Sequence, residues 1–424
     1  MILSNISIPL LGMVDTAVVG HLSEPYYIGA VAVGALIFNF IYWGFGFLRM
    51  GTTGLTAQAF GADDSDELRA ALGRAVITAV ALSAILLSAQ GHVLRAALGL
   101  VDASAEVEAL AGVYFTIRIW SAPATLANYA LLGWFIGMQN TRVPLVLLLA
   151  TNLINIALDL AFVVGMGMDV DGVALASVIA DYTGVALGLA LAVVELRRHP
   201  GEWRAARLRD PARLRQMLSV NHNIFLRTLA LIFSFAFFTA QGARQGDAIL
   251  AANTVLLNFQ TFMAYGLDGF AHAAEALVGR AMGQRRREDF IAAVRATAQW
   301  SALVALAFAA LYALAGAQII ALLTDIAPVR QAAAVFLPWA MVSPLVSVWG
   351  FWLDGVFIGA TRAAEMRNTM LVSAFGVYLP AWYVLQPLGN HGLWLALMLF
   401  MAARAVTMGV VYRRIDRQGG FLLY

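Results

Sequence analysis

Residues 1–20 read MILSNISIPLLGMVDTAVVG, from Met1 to Gly20, and this stretch decides the class of the chain. A bilayer-crossing helix needs about 20 mostly apolar residues, and this segment is long enough. Asp15 is its single ionisable side chain, and the residues one helical turn away are Leu11, Gly12, Val18 and Val19. Its own helix therefore offers it no cation. A carboxylate at the centre of a bilayer costs roughly 2.5–3.5 kcal/mol on insertion scales. Asp15 is thus a candidate for reversible protonation. The competing reading is an interhelical hydrogen bond that serves packing alone. Pro9 removes the hydrogen bond to the Asn5 carbonyl and can kink the segment just ahead of Asp15. No basic run precedes the segment, so it reads as a first span and not as a cleavable signal.

Working outward, the composition agrees. The chain has 424 residues, of which 61% are hydrophobic and 12% charged. A soluble domain would be about 45–50% apolar and about 25% charged. Cysteine is absent, which excludes disulfides and thiolate metal sites. All 27 basic residues are arginine, and the net charge is only +2. Apolar segments recur at about 1–20, 28–48, 75–90, 110–137, 144–166, 172–194, 222–241, 248–278, 296–315, 333–359, 369–388 and 393–412. Twelve spans are therefore expected. Arginines cluster after even-numbered segments, notably Arg197 to Arg215 and Arg280 to Arg287, whereas connections after odd-numbered ones hold Arg95, Arg244 and Arg330. The positive-inside rule then places both termini in the cytoplasm.

The two halves repeat. Phe135-Ile136-Gly137 returns as Phe357-Ile358-Gly359, an offset of 222, with Thr-Arg following each copy as Thr141-Arg142 and Thr361-Arg362. Ala57-Gln58-Ala59-Phe60-Gly61 matches Gly279-Arg280-Ala281-Met282-Gly283, and Gly172 to Ala176 matches Gly392 to Ala396. Each copy holds six segments, so both enter the membrane from the same side. The expected fold is an all-α integral membrane protein: twelve transmembrane helices in two parallel six-helix bundles, related by a pseudo-two-fold along the membrane normal. The expected division is 1–196, an Arg-rich cytoplasmic linker at 197–219, and 220–424. The linker arginines read as topology determinants in contact with anionic lipid.

Polar residues inside the segments mark candidate sites. Asn152, Asn155 and Asp159 share one helical face, and Ser177 and Asp181 in the next segment could complete a pocket. Such a stripe cannot face lipid cheaply. A residue needed only by the fold should recur in the other copy. Asp15 falls near Phe237, and Asp159 near Leu379 or Ala381, so neither carboxyl recurs. In the second copy, Asp268, His272 and Glu275 lie on one face and Asp354 sits in the tenth segment. They read first as a structural network, and Asp268, Glu275 and Asp354 also as a second cation site; no metal is expected. The chain has no GxxxxGK[ST] phosphate loop, metal cluster or nucleophile elbow, which points away from an ATPase or other enzyme and toward an ion gradient as energy source.

Taken together, Pro9 to Leu22, Arg49 to Gly61, Asn155 to Asp159 and Leu353 to Arg362 resemble multidrug and toxic compound extrusion (MATE) transporters. The likeness is greatest to the branch typified by DNA-damage-inducible protein F, and it runs along essentially the whole chain. It implies outward antiport of organic cations and other amphiphiles across a bacterial inner membrane. No cofactor is implied beyond the coupling ion, H+ or, in other branches, Na+. Nor does it suggest a nucleic-acid partner, and a monomer among membrane lipid is expected. It also implies that Asp15 binds the proton and that Asn155, Asp159 and Ser177 line the same cavity. The sodium-using branch relies on a span-seven Glu, and none lies between His222 and Gln241 here, although Asp354 resembles its span-ten acid. Relatives usually carry a short lead ending in Leu-Pro; either Pro9 serves instead or the start has been set too late. A lipid-linked precursor flippase of the same superfamily is the alternative. It would need Arg49, Arg118 or Arg227 unpaired in a cavity.

Overall fold

The computed structural model describes residues 25–100 and 104–421. The first segment, with Pro9 and Asp15, lies outside the described residues. Among these, no strand occurs, and the chain forms two compact units that meet in sequence between Arg215 and Gln216.

Unit one contains α1 (Pro25–Gly44), α2 (Phe47–Gly61), α3 (Ser65–Leu98), α4 (Ala105–Arg118), α5 (Ala122–Gly137), α6 (Arg142–Asp159), α7 (Val170–Leu196) and the short α8 (Ala205–Leu208). Helix α9 (Pro211–Ala243) runs through the boundary. Unit two continues with α10 (Asp247–Gln284), α11 (Arg287–Leu323), α12 (Ala327–Gly359), α13 (Ala363–Leu371), α14 (Leu379–Leu385) and α15 (Gly389–Arg417). Nine helices among the described residues are long and apolar enough to cross a membrane. The last of these, Ala363–Arg417, is 55 residues long and is interrupted by a 3-10 turn at Gln386–Leu388, so it holds two passes. Another pass is made by α4 and α5, joined through a single 3-10 turn at Ile119–Ser121. The chain is an all-α, multi-pass membrane protein.

The repeat is legible atom by atom. In unit one a Cβ on Gly133 would meet the Arg49 carbonyl at 2.3 Å, and one on Gly137 the Thr53 carbonyl at 2.8 Å. In unit two Gly355 stands against the Ala271 carbonyl at 2.4 Å and Gly359 against the Glu275 carbonyl at 2.6 Å. All four pairs keep the Phe135-to-Phe357 offset. Small residues let two helix backbones touch, which is how helices associate where lipid is as apolar as leucine. Helix ends repeat too. Asp63 and Arg285, then Gln139 and Thr361, all have φ between 54° and 60°. Each closes a Schellman-like end: Asn140 N–H donates to the Phe135 carbonyl at 2.9 Å, and Arg362 N–H to Phe357 at 2.8 Å.

The apolar pattern gives the third segment as 75–90. Instead α3 starts at Ser65, because the Asp64 side chain accepts the Glu67 N–H at 3.0 Å and Asp66 and Glu67 complement the helix dipole. Arg69 and Arg74 are buried. Arg69 donates to the Leu196 and His199 carbonyls at 2.8 Å each, and Arg74 to the Arg207 carbonyl at 2.7 Å. The Arg-rich stretch is likewise held by protein. Arg204 pairs with Asp66 and Arg207 with Asp64, each at 3.1 Å, while Trp203 and Leu208 close over Gly73. Those two arginines are engaged within unit one. Helix α9 also begins inside the expected linker. Asp210 accepts the Ala212 N–H at 2.9 Å, and Pro211 opens the first turn.

A leucine at Gly133 or Gly355 would be driven into a backbone carbonyl that cannot swing away. Gly133→Leu and Gly355→Leu should each destabilise their bundle by about 1–3 kcal/mol or more. Thermal unfolding in detergent, followed by size-exclusion chromatography, measures the fall.

Candidate functional site

Unit one holds a cavity of about 220 Å³ between α4, α5, α6 and α7. Asn152 and Asn155 from α6 and Ser177 and Asp181 from α7 line it, together with Arg118, Thr125 and Asn128. The helical period carries this arrangement: Asn152, Asn155 and Asp159 fall on one face of α6, and all three are buried. Asn155 Nδ2 donates to Ser177 Oγ at 3.3 Å. Asp159 is fully buried at the end of α6, where the helix widens into a π turn at Leu160–Gly165. Single π turns of this kind occur mostly as bulges within α-helices, frequently at functional sites.

Asp181 has a partner that the sequence did not supply. Its Oδ2 accepts from Arg118 Nη1 at 2.7 Å and from Thr125 Oγ1 at 3.0 Å. Its carbonyl accepts from Asn128 Nδ2 at 3.3 Å. The 3-10 turn after Arg118 brings Ser121 Oγ to 3.1 Å from the same guanidinium. The available signal was one arginine in one apolar segment and one aspartate two segments later; the register between the two helices was missing.

Unit two concentrates its charge differently. Asp354 of α12 receives Arg227 from α9 and Arg404 from α15 on the same Oδ2, the latter at 2.8 Å. Both arginines and the aspartate are buried. Arg404 also lies 5.8 Å from the ring centroids of both Phe351 and Phe400. Two fixed guanidinium groups on one carboxylate oppose entry of a further cation. At Asp354, expected as part of a second cation site, two protein guanidinium groups already occupy the carboxylate. Glu275 is buried on α10, with Asp268 two turns away on the same helix. Among the described residues no three His, Asp or Glu side chains gather to hold a metal ion, the row Asp268, His272, Glu275 included.

A family model described as MatE matches residues 1–161 and 223–384. The chain belongs to the MatE family. DNA damage-inducible protein F of Escherichia coli is 45% identical over 99% of this chain and 91% of its own. Protein DETOXIFICATION 44, chloroplastic, of Arabidopsis thaliana is 25% identical over 94% of this chain and 77% of its own. The crystal structure of the Vibrio cholerae MATE transporter VcmN in the bent form superposes with a TM-score of 0.89 at 19% identity, covering 100% of this chain and 96% of that one. The MatE fold is twelve transmembrane helices in two bundles. The chain is accordingly a multi-pass efflux transporter of the multidrug and toxic compound type.

Of the three arginines that the flippase reading names, two are paired with acids in this MatE protein, Arg118 with Asp181 and Arg227 with Asp354.

Removing a buried counter-ion strands its partners, at about 3–5 kcal/mol. Asp354→Asn leaves two buried guanidinium groups without a carboxylate and should markedly lower the melting temperature in detergent. Asp181→Asn, at a pair whose side chains are each 17% exposed, should lower it less.

Proposed function

We propose that the protein is a proton-coupled antiporter that exports amphiphilic, often cationic compounds across the bacterial inner membrane by alternating access, with both termini in the cytoplasm. The observation that carries this reading is the unequal use of charge by the two units. Unit one buries a polar row, Asn152, Asn155 and Asp159, beside Ser177, whereas Asp354 of unit two is held by Arg227 and Arg404. Proton exchange is assigned to Asp15, a carboxyl with no basic residue in its own apolar segment. The buried row is assigned to substrate binding and to tuning that exchange. One charge moved through 100 mV gains about 2.3 kcal/mol, so a proton entering down an energised membrane supplies the work for one export step. Sodium coupling is disfavoured because the span-ten acid already carries two protein cations.

The test is dye accumulation in cells with and without the protein. Export should collapse with a protonophore and persist without sodium. Asp15→Asn should reach the membrane at the wild-type level and lose at least tenfold in export rate. Sodium-driven export that survives the protonophore would replace this reading with a sodium antiporter. Full export by Asp15→Asn would remove Asp15 from the mechanism.

A further inference from the structure

The Arg118–Asp181 pair has a property that drug export as such does not require. Both side chains line the cavity of unit one, each 17% exposed, with their charged atoms 2.7 Å apart. The pair is built in: Ser121 and Thr125 each bond to one of its members, and the Arg118 guanidinium lies 5.9 Å from the Phe38 ring centroid. The scaffold does not demand it. At the repeat offsets the second copy places Ala340 where the first has Arg118, and Met401 where the first has Asp181. A partly exposed ion pair contributes little to stability on its own, so its presence on a cavity wall calls for a ligand-side reason.

Charge balance selects the ligand. A simple cation that takes Asp181 leaves the Arg118 guanidinium without its counter-charge. A simple anion that takes Arg118 strands Asp181. A molecule carrying both an amine and a carboxylate can exchange with the pair and leave neither unpaired. Resting on the export reading above, we infer that this cavity receives the charged end of zwitterionic amphiphiles, with Arg118 holding the carboxylate and Asp181 the amine. The volume fits such an end group: about 220 Å³ is below the roughly 300 Å³ at which pockets begin to enclose a whole drug-sized molecule. Thr125 and Asn128 beside the pair supply neutral hydrogen-bonding groups. Arg118 is then the residue that discriminates an acid from its ester, because a site built to bond a polar group rejects the analogue that lacks it.

Two dyes with one ring system make the comparison: rhodamine 110, which carries a free carboxylate, and rhodamine 123, its methyl ester. Fluorescence anisotropy on the detergent-purified full chain gives a Kd for each. Wild type should bind the acid at least tenfold more tightly than the ester, the scale of one charge-assisted hydrogen bond. Arg118→Gln should bring the ratio to within about threefold of unity. The paired variant Arg118→Gln with Asp181→Asn buries no lone charge, so it guards against a folding defect in the single variant, and it should lose the preference as well. Arg118→Lys should keep part of it. A wild-type preference for the ester, or a ratio unchanged in both glutamine variants, overturns the inference while leaving export intact. If wild type neither binds nor exports either dye, the export reading fails and this one falls with it.

Discussion

Hydrocarbon offers no hydrogen-bond partner, and that constraint organises the molecule. Several polar groups inside the bundles are met by other parts of the same chain. Trp134 Nε1 donates to the Leu68 carbonyl at 2.9 Å. Asn253 and Asn390 exchange reciprocal amide bonds at 2.8 and 2.9 Å, and Trp394 adds a third at 2.9 Å. Ionised groups follow the same rule at higher stakes, as the Arg118–Asp181 pair and the Arg227–Asp354–Arg404 cluster show.

Two copies of one scaffold carry different chemistry. The glycine contacts with facing carbonyls and the left-handed helix ends recur at a common offset, so the backbone solution is shared. The side chains around it are not. Unit one places amides, hydroxyls and an ion pair around a cavity, whereas unit two gathers Arg227, Asp354 and Arg404 into a buried cluster. The two copies thus share a backbone and differ in the charge they bury.

The membrane class, the repeat and the Asn152–Asn155–Asp159 face were legible in the sequence, because apolar length, offset and helical period are local properties. The start of α3 was not. Its first turns are polar, and their burial depends on Arg69 and Arg74 reaching carbonyls more than a hundred residues away. Hydropathy reads such residues as loop. The pairing of Arg118 with Asp181 was hidden for the same reason: helix-to-helix register is decided by tertiary packing. Asp354 was visible as an intramembrane acid, but the two arginines that hold it come from α9 and α15, at either end of unit two.

The clasp between α3 and the Arg-rich stretch also constrains the order in which the protein is made. Asp64 and Asp66 leave the ribosome well before Arg207 and Glu202, which bond to them across 143 and 136 residues. In the interval α4 to α7 must be synthesised, so the acidic turn waits without its counter-charges. The clasp is a late event in biosynthesis. It can close only after every described pass of the first unit has been made.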